Sequence, residues 1–309
     1  MMKVSPKIKV IGVGGSGSNT VSRMSKCQME GVDLVAVNTD AQALHFCNAE
    51  NKILIGENIT KGLGTGMDVF LGKKAAEENR DNIEKSLAGA NMVFVTCGLG
   101  GGTGSGASPV ISEISKGLGI LTIAVVTKPF SFEGEERRKI ACSAIEKLKD
   151  KVDALLIISN DKLLQLADNK TTVSNAFWIC DEVLREAVQG ITDLILLPGI
   201  IIVDMASVLA IMKNAGRALF GVGRAQGENR AVEAATKAIN SPLLDSSISG
   251  AKGILFNVSG RDIGLHEVSE AAKIITEKAD PKAQVIFGAV TDPKLKKGEI
   301  KVTVIATGF

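Results

Sequence analysis

Six glycines within nine residues form the part of this sequence best suited to hold a ligand. The run Gly98–Gly106 follows the apolar stretch Met92–Thr96 and precedes residues 107–114, whose apolar positions recur at helical spacing. This order predicts a buried strand, a loop and a helix. Glycine lets a backbone close tightly on a ligand, and the amides of a loop and a helix start attract anions. The run therefore predicts a binding site for a phosphate chain.

Two further glycine-rich stretches follow predicted strands. The strand Lys7–Val13 leads into the dinucleotide pattern GxGxxG at residues 12–17, a pattern that many doubly wound folds share. The third stretch, Lys61–Gly66, follows a short predicted strand at Lys52–Ile55. Loops at the carboxyl ends of parallel strands meet at one edge of the sheet. The three stretches together indicate one long polyanionic ligand.

Composition excludes several classes of function. The 309 residues include 36 Lys+Arg and 34 Asp+Glu, so a net charge of +2 gives no global basic field to attract nucleic acid. The N-terminus lacks the apolar core of a secretory signal, and the apolar run Ile195–Val203 is interrupted at Pro198. We therefore expect a cytoplasmic protein with no direct membrane insertion.

The cysteines and histidines indicate no metal site. His45 and His266 have no partner residues at metal or triad spacing, and the five cysteines show no paired spacing. We expect buried thiols in a reducing compartment, with neither zinc nor disulfides, at Cys27, Cys47, Cys97, Cys142 and Cys180.

Strands and helices alternate through the first half of the chain, with predicted helices at Phe70–Ser86 and Glu135–Lys149. This alternation predicts an α/β fold, a doubly wound and mostly parallel sheet with helices on both faces. From Thr172 an apolar stripe at helical spacing predicts a long core helix that ends at Pro198 and Gly199. The rest of the chain predicts a smaller α/β domain. We place the domain with the glycine-rich loops, the core helix and the C-terminal domain at residues 1–171, 172–199 and 200–309.

Several motifs in combination point to one family. Besides Gly101–Gly106, the sequence carries Asn38–Asp40, Pro129–Gly134 and Asn160–Leu164 at the ends of predicted strands. Together these motifs resemble the tubulin-like FtsZ family, from about Ile8 to the last residue. The resemblance implies the two-domain tubulin-like fold, GTP or GDP with Mg²⁺ held largely through the phosphates, and head-to-tail self-assembly. It also implies a role at the division site, with division proteins as partners through a tail absent from this chain.

The resemblance also assigns nucleotide-binding residues. The phosphate loops of the family correspond to Gly14, Gly15, Gly101, Gly102, Thr103 and Gly104. The positions for the ribose and phosphate edge correspond to Glu133 and Arg137, and those for the base to Asn160, Phe177 and Asp181. Further candidate residues for contact with the nucleotide are Ser16, Asn19, Asn38, Asp40, Gly64, Gly66, Ser105 and Pro129.

The residues assigned to the base also suit guanine by their chemistry. A carboxylate at Asp181 can accept hydrogen bonds from the N1 proton and the exocyclic amine of guanine, which adenine does not offer. Phe177 lies four residues earlier on the same helix face, so its ring can stack while the acid pairs. Ordinary alternatives stay open, because Phe177 could belong to the core and Asn160 could be a turn or cap residue. Glu133 and Arg137 could likewise form a solvated ion pair.

The loop after the core helix predicts weakened hydrolysis. In the family this loop presents an Asn and two Asp residues to the nucleotide of the next subunit. Here the loop keeps Asp204 as the candidate catalytic residue, but Ile202 and Ser207 occupy the other two positions. Because a positioned acid or base contributes about 10²- to 10⁴-fold in rate, we expect low GTP turnover. The segment Met67–Phe70, near the γ-phosphate in the family, also departs from the usual pattern.

Two other functions stay open at this stage. The first is a GTP-binding filament subunit that is nearly inactive as a GTPase. The second is a dinucleotide-dependent oxidoreductase built on Gly12, Gly14 and Gly17. Against it stand Asn38 at the strand tip, Asp40 two residues past that tip, and the absence of a recognisable hydride-transfer partner. A P-loop GTPase is excluded because the pattern GxxxxGK[ST] does not occur.

Overall fold

The computed structural model describes residues 6–309 apart from residues 28, 30, 164–171, 198, 242, 243 and 245. The chain divides into two compact units, Met1–Gln189 and Gly190–Phe309. This division falls within one helix, Val173–Leu196, which extends across both units. The domain limit at residue 171 and the helix end at Pro198 lie outside the described residues.

The first unit is built on a parallel sheet. Its strands are β1 (Ile8–Val13), β2 (Val32–Asn38), β3 (Asn51–Leu54), β4 (Met92–Gly98), β5 (Leu121–Lys128) and β6 (Ala154–Ser159). They lie in the order β3-β2-β1-β4-β5-β6, and each neighbouring pair is parallel. β4 and β5 are buried along nearly their whole length, as expected for central strands covered on both faces. The predicted doubly wound sheet is therefore confirmed.

Helices connect these strands. They are α1 (Gly14–Lys26), α2 (Ala41–Phe46), α3 (Glu57–Thr60), α4 (Val69–Glu78), α5 (Arg80–Leu87), α6 (Gly102–Gly117), α7 (Glu135–Lys149), α8 (Asn160–Leu163) and α9 (Val173–Leu196). A short 3₁₀ turn at Ser131–Glu133 precedes α7. The single helix predicted over Phe70–Ser86 is wrong, because the chain breaks into α4 and α5 at Asn79. The Asn79 side chain accepts a hydrogen bond from the Gly56 amide at 2.7 Å, which fixes this break.

Glycines allow α4 to lie directly against α6. A Cβ added at Gly102 would lie 2.6 Å from the carbonyl oxygen of Asp68, and one at Gly106 would lie 2.7 Å from the amide nitrogen of Lys73. Real Cβ atoms do not approach backbone atoms so closely. The first turns of α6 therefore tolerate only glycine at these two positions, and the loop before α4 is held against the start of α6.

The second unit has a mixed sheet. Its described elements are β7 (Gly199–Ile201), α10 (Met205–Met212), β8 (Gly216–Gln226), α11 (Arg230–Ile239), β9 (Gly253–Gly260), α12 (Leu265–Lys278), β10 (Gln284–Thr291) and β11 (Glu299–Thr307). The strand order is β8-β11-β9-β10-β7, in which β9 and β10 are parallel and the other neighbouring pairs are antiparallel. The sequence analysis missed β7, which forms by pairing with Ala289 and Val290 of β10.

The expectation of five buried thiols is wrong for two of them. Cys47, Cys97 and Cys180 are buried, whereas Cys27 and Cys142 are exposed. Cys27 follows the last turn of α1, and Cys142 lies on the solvent face of α7. Burial raises the pKa of the Cys97 thiol to about 12, so this group stays protonated and unreactive at neutral pH.

Replacement of Gly106 by alanine should destabilise the protein. The new methyl group would collide with backbone atoms of α4, which cannot move aside as a side chain could. We expect Gly106→Ala to lower the free energy of unfolding by about 3 kcal/mol, measured by urea denaturation.

Gly117 provides the control, because it lies in the same helix but a Cβ there would meet nothing within 4 Å. We expect Gly117→Ala to leave stability unchanged or to raise it by roughly 0.5–1 kcal/mol. Equal effects of the two substitutions would show that backbone contact between α4 and α6 does not restrict position 106.

Candidate functional site

Two long helices begin at the same edge of the first unit's sheet. α1 starts at Gly14 after β1, and α6 starts at Gly102 after the neighbouring strand β4. A Cβ added at Gly14 would lie 3.0 Å from the backbone nitrogen of Gly104, so the two helix starts are in direct contact. From β1 the sheet continues to β2 on one side and to β4 on the other. Such a switch point is where open α/β sheets bind their ligands.

Both helix starts leave their first amides available. No described side chain caps the N-terminus of α1 or α6, and neither helix has an acidic residue in its first turn. By contrast, the carboxylates of Asp40 and Asp68 cap α2 and α4. The free amides of an uncapped N-terminus carry partial positive charge and bind anions. Two such termini in contact form a site suited to a polyphosphate.

The glycines at this edge fall into two groups. Gly17 and Gly104 are tightly packed, since a Cβ at either would lie within 2.7 Å of the carbonyl oxygen of Thr96 or Gly98. A Cβ at Gly15 or Gly101 would instead meet nothing within 4 Å. The tightly packed glycines shape the loops, whereas Gly15 and Gly101 leave open space in which a ligand could reach the backbone.

Hydroxyl contacts join the third glycine-rich stretch, Lys61–Gly66, to the start of α6. The Thr103 Oγ1 lies 2.7 Å from the Thr39 Oγ1 and 3.2 Å from the Thr65 Oγ1. Thr65 lies between Gly64 and Gly66, whose positive φ angles of 81° and 55° bend the loop sharply. The sheet therefore brings all three glycine-rich stretches together, as the sequence predicted.

Two serines and an asparagine occupy different positions around the helix starts. The Ser105 side chain is buried, and its Oγ accepts a hydrogen bond from the Gly100 amide at 2.9 Å, which closes the loop. Ser16 lies in the first turn of α1 beside Gly98. Asn19 is exposed one turn further along α1, on the same face as Gly15.

The end of β2 carries a buried amide and a capping acid. The Asn38 Oδ1 accepts hydrogen bonds from the amides of Thr39 at 2.9 Å and Asp40 at 3.3 Å. Its Nδ2 is buried and has no partner among the described residues, so a bound ligand could accept from it. The Asp40 carboxylate accepts a hydrogen bond from the Ala43 amide at 2.9 Å. Asp40 thus caps α2 and retains a second carboxylate oxygen.

The loop after β5 reaches the central glycine loop. A Cβ added at Gly100 would lie 3.0 Å from the carbonyl oxygen of Arg137 and 3.3 Å from the Pro129 side chain. The Glu133 carboxylate accepts hydrogen bonds from the Phe130 amide at 2.9 Å and from the Arg137 Nη1 at 3.2 Å. Glu133 and Arg137 therefore do form an ion pair, and the pair lies next to the predicted phosphate loop.

An aromatic cluster joins α9 to this loop. The Phe177 ring meets the Phe130 ring edge-on at 5.3 Å and is 40% exposed, so Phe177 presents ring surface to solvent rather than belonging to the core. The Asp161 carboxylate accepts a hydrogen bond from the Ser131 amide at 2.8 Å, which ties α8 to the same loop. Asn160, at the start of α8, is buried, and its Oδ1 has no partner in the described part of the chain.

Asp181 pairs with α1, which the sequence analysis did not predict. Its buried carboxylate accepts hydrogen bonds from the Thr20 Oγ1 at 3.2 Å and the Arg23 Nε at 3.0 Å. Burial raises the pKa of the Asp181 carboxyl, and the Arg23 guanidinium partly offsets this by favouring the ionised form. The same guanidinium lies 5.9 Å from the centroid of the exposed Trp178 ring. No local pattern reveals these contacts, because Arg23 precedes Asp181 by 158 residues.

In the second unit, Asp204 caps α10. Its Oδ1 accepts a hydrogen bond from the Ser207 amide at 2.7 Å. The hydrogen bonds from Ser207 lower the pKa of the Asp204 carboxyl, which is fully exposed and therefore ionised at neutral pH. Ile202 just before it is also exposed, and Ser207 lies in the first turn of α10. An ionised acid on an open loop is available to another molecule.

Among the described residues, no group of three or more His, Cys, Asp or Glu side chains could hold a metal ion. In the same described part of the chain, no helix combines the length and apolar character that a bilayer crossing requires.

Removal of the Arg23 guanidinium should destabilise the protein more at neutral than at acid pH. In Arg23→Ala the buried Asp181 loses its cation, and we expect about 2 kcal/mol less free energy of unfolding at pH 7. The pKa of Asp181 is raised in the folded state, so its ionisation opposes folding and the loss grows as pH rises through the carboxyl range. Urea denaturation should therefore show a smaller loss at about pH 5 than at about pH 7.

Arg80→Ala is the matched control, since Arg80 forms an exposed pair with Glu113 at 3.9 Å. We expect it to change stability by less than about 0.5 kcal/mol at either pH. A loss in Arg23→Ala that does not depend on pH would contradict the assignment to Asp181.

Two family matches cover most of the chain. Residues 7–168 match the Tubulin/FtsZ family, GTPase domain, and residues 216–309 match the FtsZ family, C-terminal domain. Membership of a GTPase family leaves no support for the oxidoreductase alternative. The GxGxxG pattern at residues 12–17 therefore belongs to a tubulin-like GTPase domain rather than to a dinucleotide fingerprint.

Solved structures agree with these matches. The chain is 44% identical to an empty FtsZ dimer from M. jannaschii, over 99% of this chain and 89% of that one, with a TM-score of 0.95. It is 45% identical to a tryptophan-to-tyrosine FtsZ mutant from the same organism, over 99% and 92% of the two chains, also with a TM-score of 0.95. A GTPγS-bound protofilament of CetZ2 from Haloferax volcanii shares the fold at 24% identity, 98% and 93% coverage and a TM-score of 0.83. On these matches, the chain belongs to the FtsZ family of tubulin-like GTPases.

Proposed function

We propose that this protein binds GTP and GDP at the carboxyl edge of the first unit's sheet. The observation that carries the proposal is the contact between the uncapped starts of α1 and α6, with open space beside Gly15 and Gly101. The triphosphate would accept hydrogen bonds from these amides. The proposed nucleotide-contacting residues are Gly14, Gly15, Ser16, Asn19, Asn38, Asp40, Gly64, Gly66, Gly101, Gly102, Thr103, Gly104, Ser105, Pro129, Glu133, Arg137, Asn160, Phe177 and Asp181.

The base proposed for this site is guanine. Asp181 is held in place by Thr20 and Arg23, and its ionised form can accept from the two donors on guanine. Burial alone disfavours that ionised form, so two further donors would offset part of the desolvation cost. The exposed face of Phe177 would stack on the ring, and the unpartnered Oδ1 of Asn160 would accept from a base donor.

We further propose that subunits assemble head to tail and share one active site. A contact between two different surfaces of identical subunits does not close, and it therefore grows a filament. Asp204 of one copy would orient the water that attacks the γ-phosphate bound by the next, because its carboxylate is exposed and ionised. Mg²⁺ bound to the phosphates would neutralise their charge. The proposed role is in cell division, as a cytoplasmic filament at the division site with division proteins as partners.

We propose that this protein hydrolyses GTP more slowly than other members of its family. Ile202 and Ser207 replace an amide and a carboxylate, so neither can orient water as those groups would. The exposed Ile202 also presents an apolar surface beside Asp204. If turnover is negligible even in filaments, the protein is a GTP-binding structural subunit.

Alanine at Gly101 should weaken nucleotide binding without destabilising the fold. A Cβ there would meet no protein atom within 4 Å, but it would occupy the open space proposed for phosphate. We expect Gly101→Ala to unfold at the same urea concentration as the unmodified protein and to bind GDP about tenfold more weakly by isothermal titration calorimetry.

Gly117→Ala, at the opposite end of α6, is the control and should bind GDP normally. Unchanged GDP affinity in Gly101→Ala would place the phosphate elsewhere. Chromatography of nucleotide extracted from the purified protein supplies a second test, because any nucleotide other than a guanine nucleotide contradicts the proposal.

An acid restored at position 207 should raise turnover. We expect phosphate release per subunit to appear only above a threshold protein concentration, because two copies complete each site. Above that threshold, Ser207→Asp should raise the rate about tenfold or more, and Asp204→Asn should lower it about 10²-fold while GTP binding is retained.

Ser207→Ala tests whether charge is responsible for any gain. It leaves the backbone cap on α10 in place and adds no carboxylate, so it should not raise the rate. Turnover without a threshold, or an equal gain in Ser207→Ala and Ser207→Asp, would contradict catalysis by a shared acid.

A further inference from the structure

A cavity lies in the first unit, on the flanks of α4, α6 and α7. Its volume is about 480 Å³, within the range of small-molecule sites. The apolar part of its lining comes from Val69 and Phe70 of α4 and from Pro109 and Val110 of α6. Nothing in the proposed nucleotide chemistry uses these four side chains.

Apolar surface at this cavity is left exposed to water. Phe70 is part of the cavity lining, and its side chain is 63% exposed. Its ring is covered only in part by the Lys74 ammonium, 4.5 Å from the ring centroid. An apolar ligand would remove this surface from water, which favours binding.

The polar part of the lining is positively charged. Lys73, Lys147 and Lys151 line the cavity, and no acidic residue does. Lys73 pairs with Glu77 at 3.4 Å in an exposed position, and Lys151 pairs with Glu113. Within the described part of the chain, Lys147 has no ion-pair partner. An anionic group could therefore pair with Lys147 without competing against an existing carboxylate.

We propose that this cavity binds a small amphiphilic anion, a single free molecule with an apolar body and one carboxylate. The apolar body would pack against Val69, Phe70 and Val110, and the carboxylate would accept hydrogen bonds from the Lys147 ammonium. The match between apolar walls and unpaired positive charge identifies this class of ligand. Neither a neutral apolar molecule nor a cation of equal length would satisfy both parts of the lining.

The cavity is also joined to the candidate nucleotide site through backbone contacts. Gly106 of the lining lies against α4, and Asp68, which precedes Val69, lies against Gly102 at the start of α6. A ligand that shifts α4 relative to α6 would alter the loop that carries Thr65. Binding of the anion should therefore change GDP affinity, and GDP should change anion affinity by the same factor. This coupling rests on the proposed function, whereas anion binding does not.

The test measures binding of decanoate to the whole protein by isothermal titration calorimetry, below the concentration at which decanoate forms micelles. Decanol and decyltrimethylammonium have the same apolar length without the negative charge. We expect saturable binding of one decanoate per chain, and about tenfold weaker binding of the other two. Lys147→Gln should weaken decanoate binding about tenfold.

Lys149→Gln is the matched control, because Lys149 lies on the same helix but outside the cavity lining. It should bind decanoate normally, and both variants should keep the unmodified unfolding temperature. The proposal would be overturned if decanoate does not bind saturably or if both variants weaken its binding equally. It would also be overturned if the protein binds phosphatidylglycerol vesicles but not free decanoate.

Titrations in saturating GDP separate this proposal from the proposed function. Stoichiometric displacement of decanoate by GDP would place the anion in the nucleotide site and overturn the cavity assignment. If no guanine nucleotide binds but decanoate still binds and requires Lys147, the proposed function fails and the cavity proposal stands.

Discussion

The direct backbone contact between the starts of α1 and α6 is the constraint on which the candidate site depends. Where Gly14 meets Gly104, no side chain separates the two helices, and their uncapped N-termini therefore converge on one point. Glycine has the same effect at Gly102 and Gly106, where it allows α4 to approach α6. The loop before α4 is thereby brought to the start of α6, where the phosphates are proposed to bind. The three loops can meet because glycine places no side chain between them.

Buried polar groups lie on either side of the two helix starts, with Asn38 at the end of β2 and Asn160 directly after β6. The carboxylate of Asp181 is held between a hydroxyl and a guanidinium, while Asn38 and Asn160 each bury one polar atom without a partner in the described part of the chain. Such groups cost free energy unless a ligand supplies the missing partner. A nucleotide base and its ribose offer both hydrogen-bond donors and hydrogen-bond acceptors. Uncapped amides and unpartnered amide side chains thus lie along the same edge of the sheet.

Much of the fold and the phosphate region could be predicted from the sequence because both depend on local patterns. The alternation of apolar strands with amphipathic helices predicted the parallel sheet, and α7 was predicted at the bounds observed, Glu135–Lys149. Glycine spacing at Gly98–Gly106 predicted a loop between a strand and a helix, but the predicted extent of the loop is wrong, because α6 already begins at Gly102. Pairing across a sheet is not a local pattern, so the short edge strand β7 was missed. The break at Asn79 was missed because its cause is a hydrogen bond to distant Gly56.

The sequence by itself determined the family, the glycine loops and the candidate residues at the strand ends. The family follows from the resemblance of several motifs to those of known proteins, and the loops follow from the spacing and the backbone freedom of glycine. Only the tertiary structure decided what each side chain contacts: that Arg23 faces Asp181, that Asp40 caps a helix, and that Lys147 lies beside an apolar cavity. Such contacts join residues far apart in the chain, and packing rather than local spacing fixes which of them meet. Burial, and with it the raised pKa of Asp181, is likewise a property of that packing.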